Sequence, residues 1–234
     1  MASIKLEEVL RKLADPAIAE HSQRFFKTGK GEYGEGDRFL GVRVPVIRRQ
    51  VSKFKDVAFQ QVKALLKSAY HEERLFALLL LVDKYDRGSD DEKQIIYDLY
   101  LANTRYINNW DLVDSSAHKI VGSHLVDRDR SLLDTLSRSA NLWERRIAVI
   151  ATMRFIRDDQ YEDTIKIAEN LLEDEEDLIH KAVGWLLREV GKRDISVEKA
   201  FLKKHYKNMP RTMLRYAIER FPQNERKAYL DGRV

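Results

Sequence analysis

The sequence contains no cysteine, and only 4 prolines, 10 glycines and 3 tryptophans in 234 residues. Without cysteine there can be no disulfide, no thiolate metal site and no cysteine nucleophile, and the absence fits a reducing compartment. Long apolar runs are also missing. The longest, Leu75 to Val82, is far too short to cross a bilayer, and residues 1–14 alternate charge with Leu and Val in a helical period, unlike a secretory leader. A cytoplasmic protein without membrane contact is expected. The scarcity of Gly and Pro leaves no linker, so residues 1–234 are read as one domain, with a monomer as the default.

What is present is helical. Hydrophobic residues make up 44% and charged residues 34%, a balance that suits helices with one apolar face each. Apolar spacing of three and four predicts helices near 3–14, 15–27, 58–68, 71–85, 91–103, 109–123, 129–138, 142–156, 160–171, 177–191, 195–206, 210–220 and 223–230. Another follows Pro45 and carries Arg48 and Arg49. Asp15-Pro16 and Met209-Pro210 read as helix starts, and Asp86–Asp90 and Gly191–Asp194 as stops. The only glycine-rich stretch, Gly29 to Gly36, lacks the flanking strand and the Gly-Lys-Ser/Thr ending of a phosphate loop. It is expected to be a flexible loop that a ligand orders.

The sequence repeats itself. Arg74, Trp110, Arg146, Lys181 and Arg215 fall in one helical phase at intervals of 36, 36, 35 and 34 residues. The surroundings rhyme, as in Glu73-Arg74-Leu75-Phe76-Ala77, Arg145-Arg146-Ile147-Ala148 and Leu214-Arg215-Tyr216-Ala217. A repeat of this length with helical patterns and no strand pattern predicts an all-α, right-handed solenoid of HEAT-like repeats, in which equivalent positions line one concave surface. Charge is unevenly placed: Asp158 to Asp177 holds ten acids and one Lys, whereas from Phe201 onward nine Lys or Arg face three acids. A basic row and a basic tail are what a polyanion requires, although Lys and Arg also simply solvate helix faces.

Few residues can carry chemistry. Trp110 and Asp114 stand four apart in Asn108-Asn109-Trp110-Asp111-Leu112-Val113-Asp114, so a π surface and a carboxylate share one helical face. Asp111 points about 100° away and is a candidate to cap or pair with a cation. Trp185 lies one turn past Lys181 and can emerge on the same stripe, whereas Trp143 is assigned to packing. Core positions for Trp110 and Trp185, and a structural role for Asp114, remain open at this point. The histidines show no ligand spacing, so neither a metal nor another cofactor is expected, and Ser115-Ser116 lack the elbow of an acyl-transfer nucleophile.

Asn-Trp-Asp-Leu-Val-Asp (109–114), Leu-Trp-Glu-Arg-Arg-Ile-Ala (142–148) and His-Lys-Ala-Val-Gly-Trp-Leu-Leu-Arg-Glu (180–189) together resemble the AlkD-type DNA alkylation repair glycosylases. Phe39–Pro45 and Pro210–Ile218 extend the resemblance over nearly the whole chain. It implies a duplex-DNA-binding solenoid that hydrolyses the N-glycosidic bond of cationic 3-alkyladenine and 7-alkylguanine types. Position by position, Asp114 matches the catalytic acid, Trp110 and Trp185 the cleft tryptophans, and Arg146 the cleft arginine. Phe25 stands where the family can place a tyrosine. Arg43, Arg48, Arg74, Lys181, Arg188, Arg211 and Arg215 are the expected DNA contacts.

The chemistry suits those residues. A purine alkylated on a ring nitrogen leaves as a neutral base and needs no general acid, so one carboxylate suffices where sugar hydrolases generally use two. Asp114 would stabilise the oxocarbenium-like sugar and orient water. The tryptophans would hold the cationic nucleotide by contacts of roughly 0.5–2 kcal/mol each. Most glycosylases extrude the base into a pocket, whereas the resemblance implies attack from the backbone side without one. Two other readings stand beside it: a non-catalytic binder of bent, branched or damaged DNA, from the same basic stripe and the lengthened 29–36 loop, and a protein-interaction scaffold docking through the acidic 158–177 segment.

Overall fold

A computed structural model describes residues 6–234, so residues 3–5 of the first expected helix lie outside the described residues. Among the described residues no strand forms, and Arg38 and Tyr70 make an isolated bridge. The expected all-helical class is what the protein adopts. No described helix is long and apolar enough to cross a membrane. The chain divides into two compact units, residues 1–116 and 117–234.

The first unit contains α1 (Leu6–Arg11), α2 (Pro16–Phe25), α3 (Val44–Lys53), α4 (Phe59–Leu66), α5 (His71–Arg87), α6 (Asp90–Leu101), a 3₁₀ turn (Thr104–Tyr106) and α7 (Trp110–Ala117), in which the division falls. Several starts follow from local chemistry. Asp15 accepts from the backbone N–H of Ala17 and Ile18 at 2.9 and 3.2 Å, with Pro16 as first residue of α2. Ser89 and Glu92 close a reciprocal capping box on α6.

α5 is the core element of this unit, packed on α1, α3, α4 and α6. Every residue from His71 to Val82 is buried, so its first turn, His-Glu-Glu-Arg, is enclosed along with its leucines. Buried ionisable groups need partners, and each has them. Glu72 accepts from the N–H groups of Leu40, Gly41 and Val42 at 2.9, 2.8 and 3.2 Å. Glu73 takes Arg11 at 2.9 Å and the Ser68 hydroxyl. His71 and Arg74 meet Asp37.

The second unit begins in the last residue of α7 and continues through a π-helical turn (His118–Gly122) to α8 (Ser123–Leu125), α9 (Ser131–Ser137), α10 (Leu142–Ala151), α11 (Met153–Ile156), α12 (Glu162–Asn170), α13 (Asp177–Arg193), α14 (Ile195–His205), α15 (Arg211–Ala217), a 3₁₀ turn (Ile218–Arg220) and α16 (Gln223–Leu230). α10 and α13 form its centre: α10 packs on α9, α12, α13 and the π turn, and α13 packs most extensively on α15. The close α13–α15 approach depends on Gly184, where a Cβ would come within 2.4 Å of the Met213 carbonyl oxygen.

Two expectations need correction. The helix expected over 109–123 is not uniformly α, because it relaxes to π geometry after Ala117; at Gly122 a Cβ would lie 2.3 Å from the Ala151 oxygen, so the backbone itself packs there. The helix expected over 142–156 is interrupted at Thr152, whose buried hydroxyl donates to the Val149 carbonyl at 2.8 Å. In the 29–36 loop the N–H groups of Gly29 and Gly31 donate to Glu32 and Glu35, both at 2.8 Å.

The repeat phase reappears as structure. Arg146, Lys181 and Arg215 are each the fifth residue of α10, α13 and α15, Arg74 is the fourth of α5, and Trp110 opens α7.

Candidate functional site

In the first unit the expected residues Trp110 and Asp114 occupy the start of α7 and the next turn, both half-buried. Trp110 follows Asn109, whose carboxamide oxygen accepts the Trp110 N–H at 2.8 Å. Its ring stacks on Phe26 (centroids 5.4 Å apart, planes 22°) and meets Phe25 edge-on at 6.1 Å. Phe25 is 57% exposed, so this aromatic group reaches the surface. Phe26 in turn stacks on Phe39 at 5.1 Å, and both lie against the imidazole of His71, at 4.9 and 4.7 Å.

Beneath the rings runs a buried charge network. His71 Nε2 lies 2.8 Å from Asp111 Oδ2, and its Nδ1 lies 3.3 Å from Asp37 Oδ2. Arg74 donates to Asp37 Oδ1 at 2.7 Å and to the Ser68 carbonyl at 3.0 Å. Burial opposes charge on His71, but the Asp111 carboxylate, by its field and its hydrogen bond, and then Asp37 outweigh it and hold the imidazolium up to about 9. Asp37 is likewise held below the usual carboxylate range, because the His71 and Arg74 contacts overcome its own desolvation. Asp111, expected to cap or to pair with Lys or Arg, pairs with a histidine.

Asp114 stands over a second polar group. The Ser116 hydroxyl donates to the Leu112 carbonyl at 2.6 Å, which leaves Tyr100 to donate its O–H to Ser116 Oγ at 3.0 Å. Burial, with the nearby Asp114 carboxylate adding to it, raises the Tyr100 phenol above its ordinary value. Tyr100 therefore remains a neutral donor under α7.

The second unit holds the other expected residues. Trp185 is half-buried on α13 and donates its indole N–H to Glu189 at 3.1 Å. On the same helix Lys181 pairs with Asp177 at 2.7 Å, and Arg188 with Glu219. Arg211 and Arg215 are exposed on α15, where Arg211 donates to the Leu230 carbonyl at 2.5 Å. In the first unit Arg43 and Arg48 are exposed at the start of α3.

Two arginines of the repeat phase, Arg74 of the expected DNA contacts and Arg146 of the expected cleft, are buried. Arg74 is 4% exposed and committed to Asp37, which makes it a core residue of the first unit. Arg146 is 5% exposed and donates to the Leu178 carbonyl, so it tethers α10 to the start of α13. Trp143 is buried, in line with its assignment to packing. Six of the ten acids in the 158–177 segment have cationic partners. Asp158, Asp159, Asp163, Glu169, Asp174 and Asp177 pair with Arg154, Arg193, Arg130, Lys204, Arg145 and Lys181.

Sequence reasoning missed Phe26, Phe39, His71 and Asp37. The signal available for His71 was the unbroken set of four ionisable residues heading an entirely apolar run.

The described residues are thus all-helical, with a Trp and an Asp one turn apart at a helix start and a buried ionic network behind the Trp. The chain belongs to the DNA alkylation repair enzyme family, whose model matches residues 6–221. Among solved structures it is similar to a predicted DNA alkylation repair enzyme from Enterococcus faecalis (18% identity, 90% of this chain and 97% of that one, TM-score 0.69). It is also similar to smu.31 from Streptococcus mutans UA159 (19% identity, 73% of this chain and 88% of that one, TM-score 0.53). At these identities the likeness is one of fold. No curated protein matches the sequence.

Proposed function

We propose that the protein is a monofunctional DNA glycosylase that releases cationic alkylated purines, of the 3-alkyladenine and 7-alkylguanine type, from duplex DNA. The reading rests on membership of a DNA alkylation repair family together with one observation, the half-buried pairing of Trp110 and Asp114 on α7. An alkylated purine carries its own positive charge, so the leaving group needs no proton. The difficult part is the cationic sugar. A carboxylate in a partly dehydrated setting stabilises that charge more strongly than one in water and orients the attacking water. In this reading Asp114 does both, and Trp110 offers its π face to the cationic nucleotide. Trp185 acts as a second aromatic contact, and Lys181, Arg188, Arg211, Arg215, Arg43 and Arg48 hold phosphates. Arg146, being buried, positions its neighbours. No metal or other cofactor enters the reaction as written, and the partner is double-stranded DNA.

The test is base release from methylated duplex by the purified protein, with Asp114→Asn alongside. The expected outcome is single-turnover release of 7-methylguanine that falls by at least 100-fold in the variant, about 2.7 kcal/mol of barrier, with duplex affinity kept within a few-fold. Equal release by the variant overturns the role of Asp114. Tight duplex binding with no release by the wild type moves the protein to the non-catalytic binders of damaged or bent DNA.

A further inference from the structure

His71 is 2% exposed, so it cannot touch a substrate, yet it contacts both supports of Trp110. One support is the backbone: Asp111, whose carboxylate receives His71 Nε2 at 2.8 Å, is the residue after Trp110 in the first turn of α7. The other is the ring stack: the imidazole lies on Phe39 and Phe26, and Phe26 carries Trp110. We propose that His71 is a positioning residue, clamped between Asp37 and Asp111, that fixes the first turn of α7 and the aromatic stack and so sets the orientation of Trp110. This deepens the glycosylase reading and rests on it for its catalytic consequence.

Ionised carboxylates only accept, and a neutral imidazole has a single N–H. Both carboxylate contacts are met as donated hydrogen bonds only by the imidazolium. The groups facing the ring are Asp111 from α7, Asp37 from the segment before α3, and Arg74 from its own helix, the last turned to Asp37 at 2.7 Å. Glu72 and Glu73 point elsewhere, to the Leu40–Val42 backbone and to Arg11 and Ser68. Loss of the His71 proton therefore removes one clamp and leaves a buried carboxylate short of a donor. The Asp37 contact is the longer, at 3.3 Å, and Asp37 keeps Arg74 at 2.7 Å, whereas Asp111 Oδ1 lacks a hydrogen-bond partner and the carboxylate depends on Nε2. The proton therefore leaves Nδ1, which frees the ring at its Asp37 edge and loosens the Phe39 and Phe26 stack that carries Trp110. A hydrophobic residue at 71 would fill the space against Phe26 and Phe39 but would strand Asp111 and leave Asp37 only Arg74 and Asn108.

Fluorotryptophan-labelled full-length protein gives three ¹⁹F resonances, assigned by Trp→Phe variants, and the free protein is titrated from about pH 7 to about pH 10.5. The Trp110 resonance should shift with one midpoint near the His71 value of about 9 while those of Trp143 and Trp185 stay flat, and His71→Gln should abolish the shift. In the same variant single-turnover excision should fall about tenfold with duplex Kd within twofold, and the alkaline fall of the wild-type rate should disappear. A Trp110 resonance that does not titrate in the wild type overturns the proposal, whether or not His71→Gln folds. A titrating Trp110 in a protein that releases no base sinks the glycosylase reading and leaves His71 its positioning role.

Discussion

Glu72→Gln is a one-atom change whose cost can be worked from the structure. The Glu72 carboxylate is 4% exposed and accepts three backbone N–H groups, from Leu40 on Oε2 and from Gly41 and Val42 on Oε1. A hydrogen bond to a charged acceptor is worth roughly 1.5–3 kcal/mol and a neutral one roughly 0.5–1.5. In the variant the amide oxygen keeps Gly41 and Val42, each weaker by about 1 kcal/mol, while the NH₂ group faces the Leu40 N–H and leaves a donor unmet. The anion at the start of α5 is also lost, which removes a further ~0.5 kcal/mol. Relief of the carboxylate's desolvation offsets part of this, giving a net destabilisation of about 3 kcal/mol. The segment cannot easily re-route. Gly41 sits at φ +81°, a Cβ there would lie 2.0 Å from the Asp15 oxygen, and the Leu40 carbonyl accepts from Asp15 N–H at 3.0 Å.

For a chain of this size about 3 kcal/mol corresponds to a fall of roughly 6–12 °C in Tm. Circular dichroism melts of Glu72→Gln beside the exposed control Glu8→Gln measure it. The control should stay within about 1 °C of wild type, as surface substitutions do. A Glu72→Gln melt within about 2 °C of wild type would mean that the carboxylate does not hold the 40–42 backbone. The same backbone carries Phe39 into the stack on His71, so the melt also probes the foundation of Trp110.

Arg215→Ala and Lys181→Ala should each weaken duplex binding regardless of sequence and lower the salt slope by about 1, read from Kd against salt; an unchanged slope would remove that residue from the DNA contacts. Arg74→Ala, in the same repeat phase but buried on Asp37, should leave the salt slope alone and lower Tm instead. Glu198 on α14 is buried, and its desolvation, with Glu225 adding and Arg188 and Lys199 opposing, pushes its pKa up to about 8 from the ordinary 4.5. The folded state thus binds the proton more tightly than the unfolded chain, so its contribution to stability is fully present below about pH 4.5 and is lost as pH rises through about 8. Glu198→Gln should gain stability relative to wild type across that window in urea titrations, and a pH-independent difference would contradict it.

The helices were legible in the sequence because apolar spacing is a local signal, as is the start at Asp15-Pro16. The stretches read as stops at 86–90 and 191–194 also hold Ser89 and Asp194, which cap the helices that follow through their own side chains. The repeat was legible for a similar reason, since equal spacing places Arg146, Lys181 and Arg215 at one position of successive major helices. What spacing could not give was exposure. Arg74 and Arg215 share a phase, yet one is buried and the other open. The difference is made by Asp37, which is 37 residues from Arg74 in sequence. The π turn was hidden for a related reason: it is tied to the close approach of Gly122 to the Ala151 backbone.

The ionic core behind Trp110 joins residues 34 and 40 positions apart, and no local pattern predicts such a meeting. Physical reasoning nevertheless narrows it. Leu75 to Val82 has no polar face, so a helix through it is enclosed on every side. Enclosure extends to the preceding turn, and four buried ionisable groups there each require a partner. Two cations and two anions in one turn cannot satisfy each other, because i, i+1 and i+2 side chains do not face one another and only His71 and Arg74 are three apart. The partners must come from other segments, and the His and Arg must draw acids. Asp111, beside the aromatic residue most worth positioning, was already the acid expected to cap or to pair, and His71 is the partner it takes.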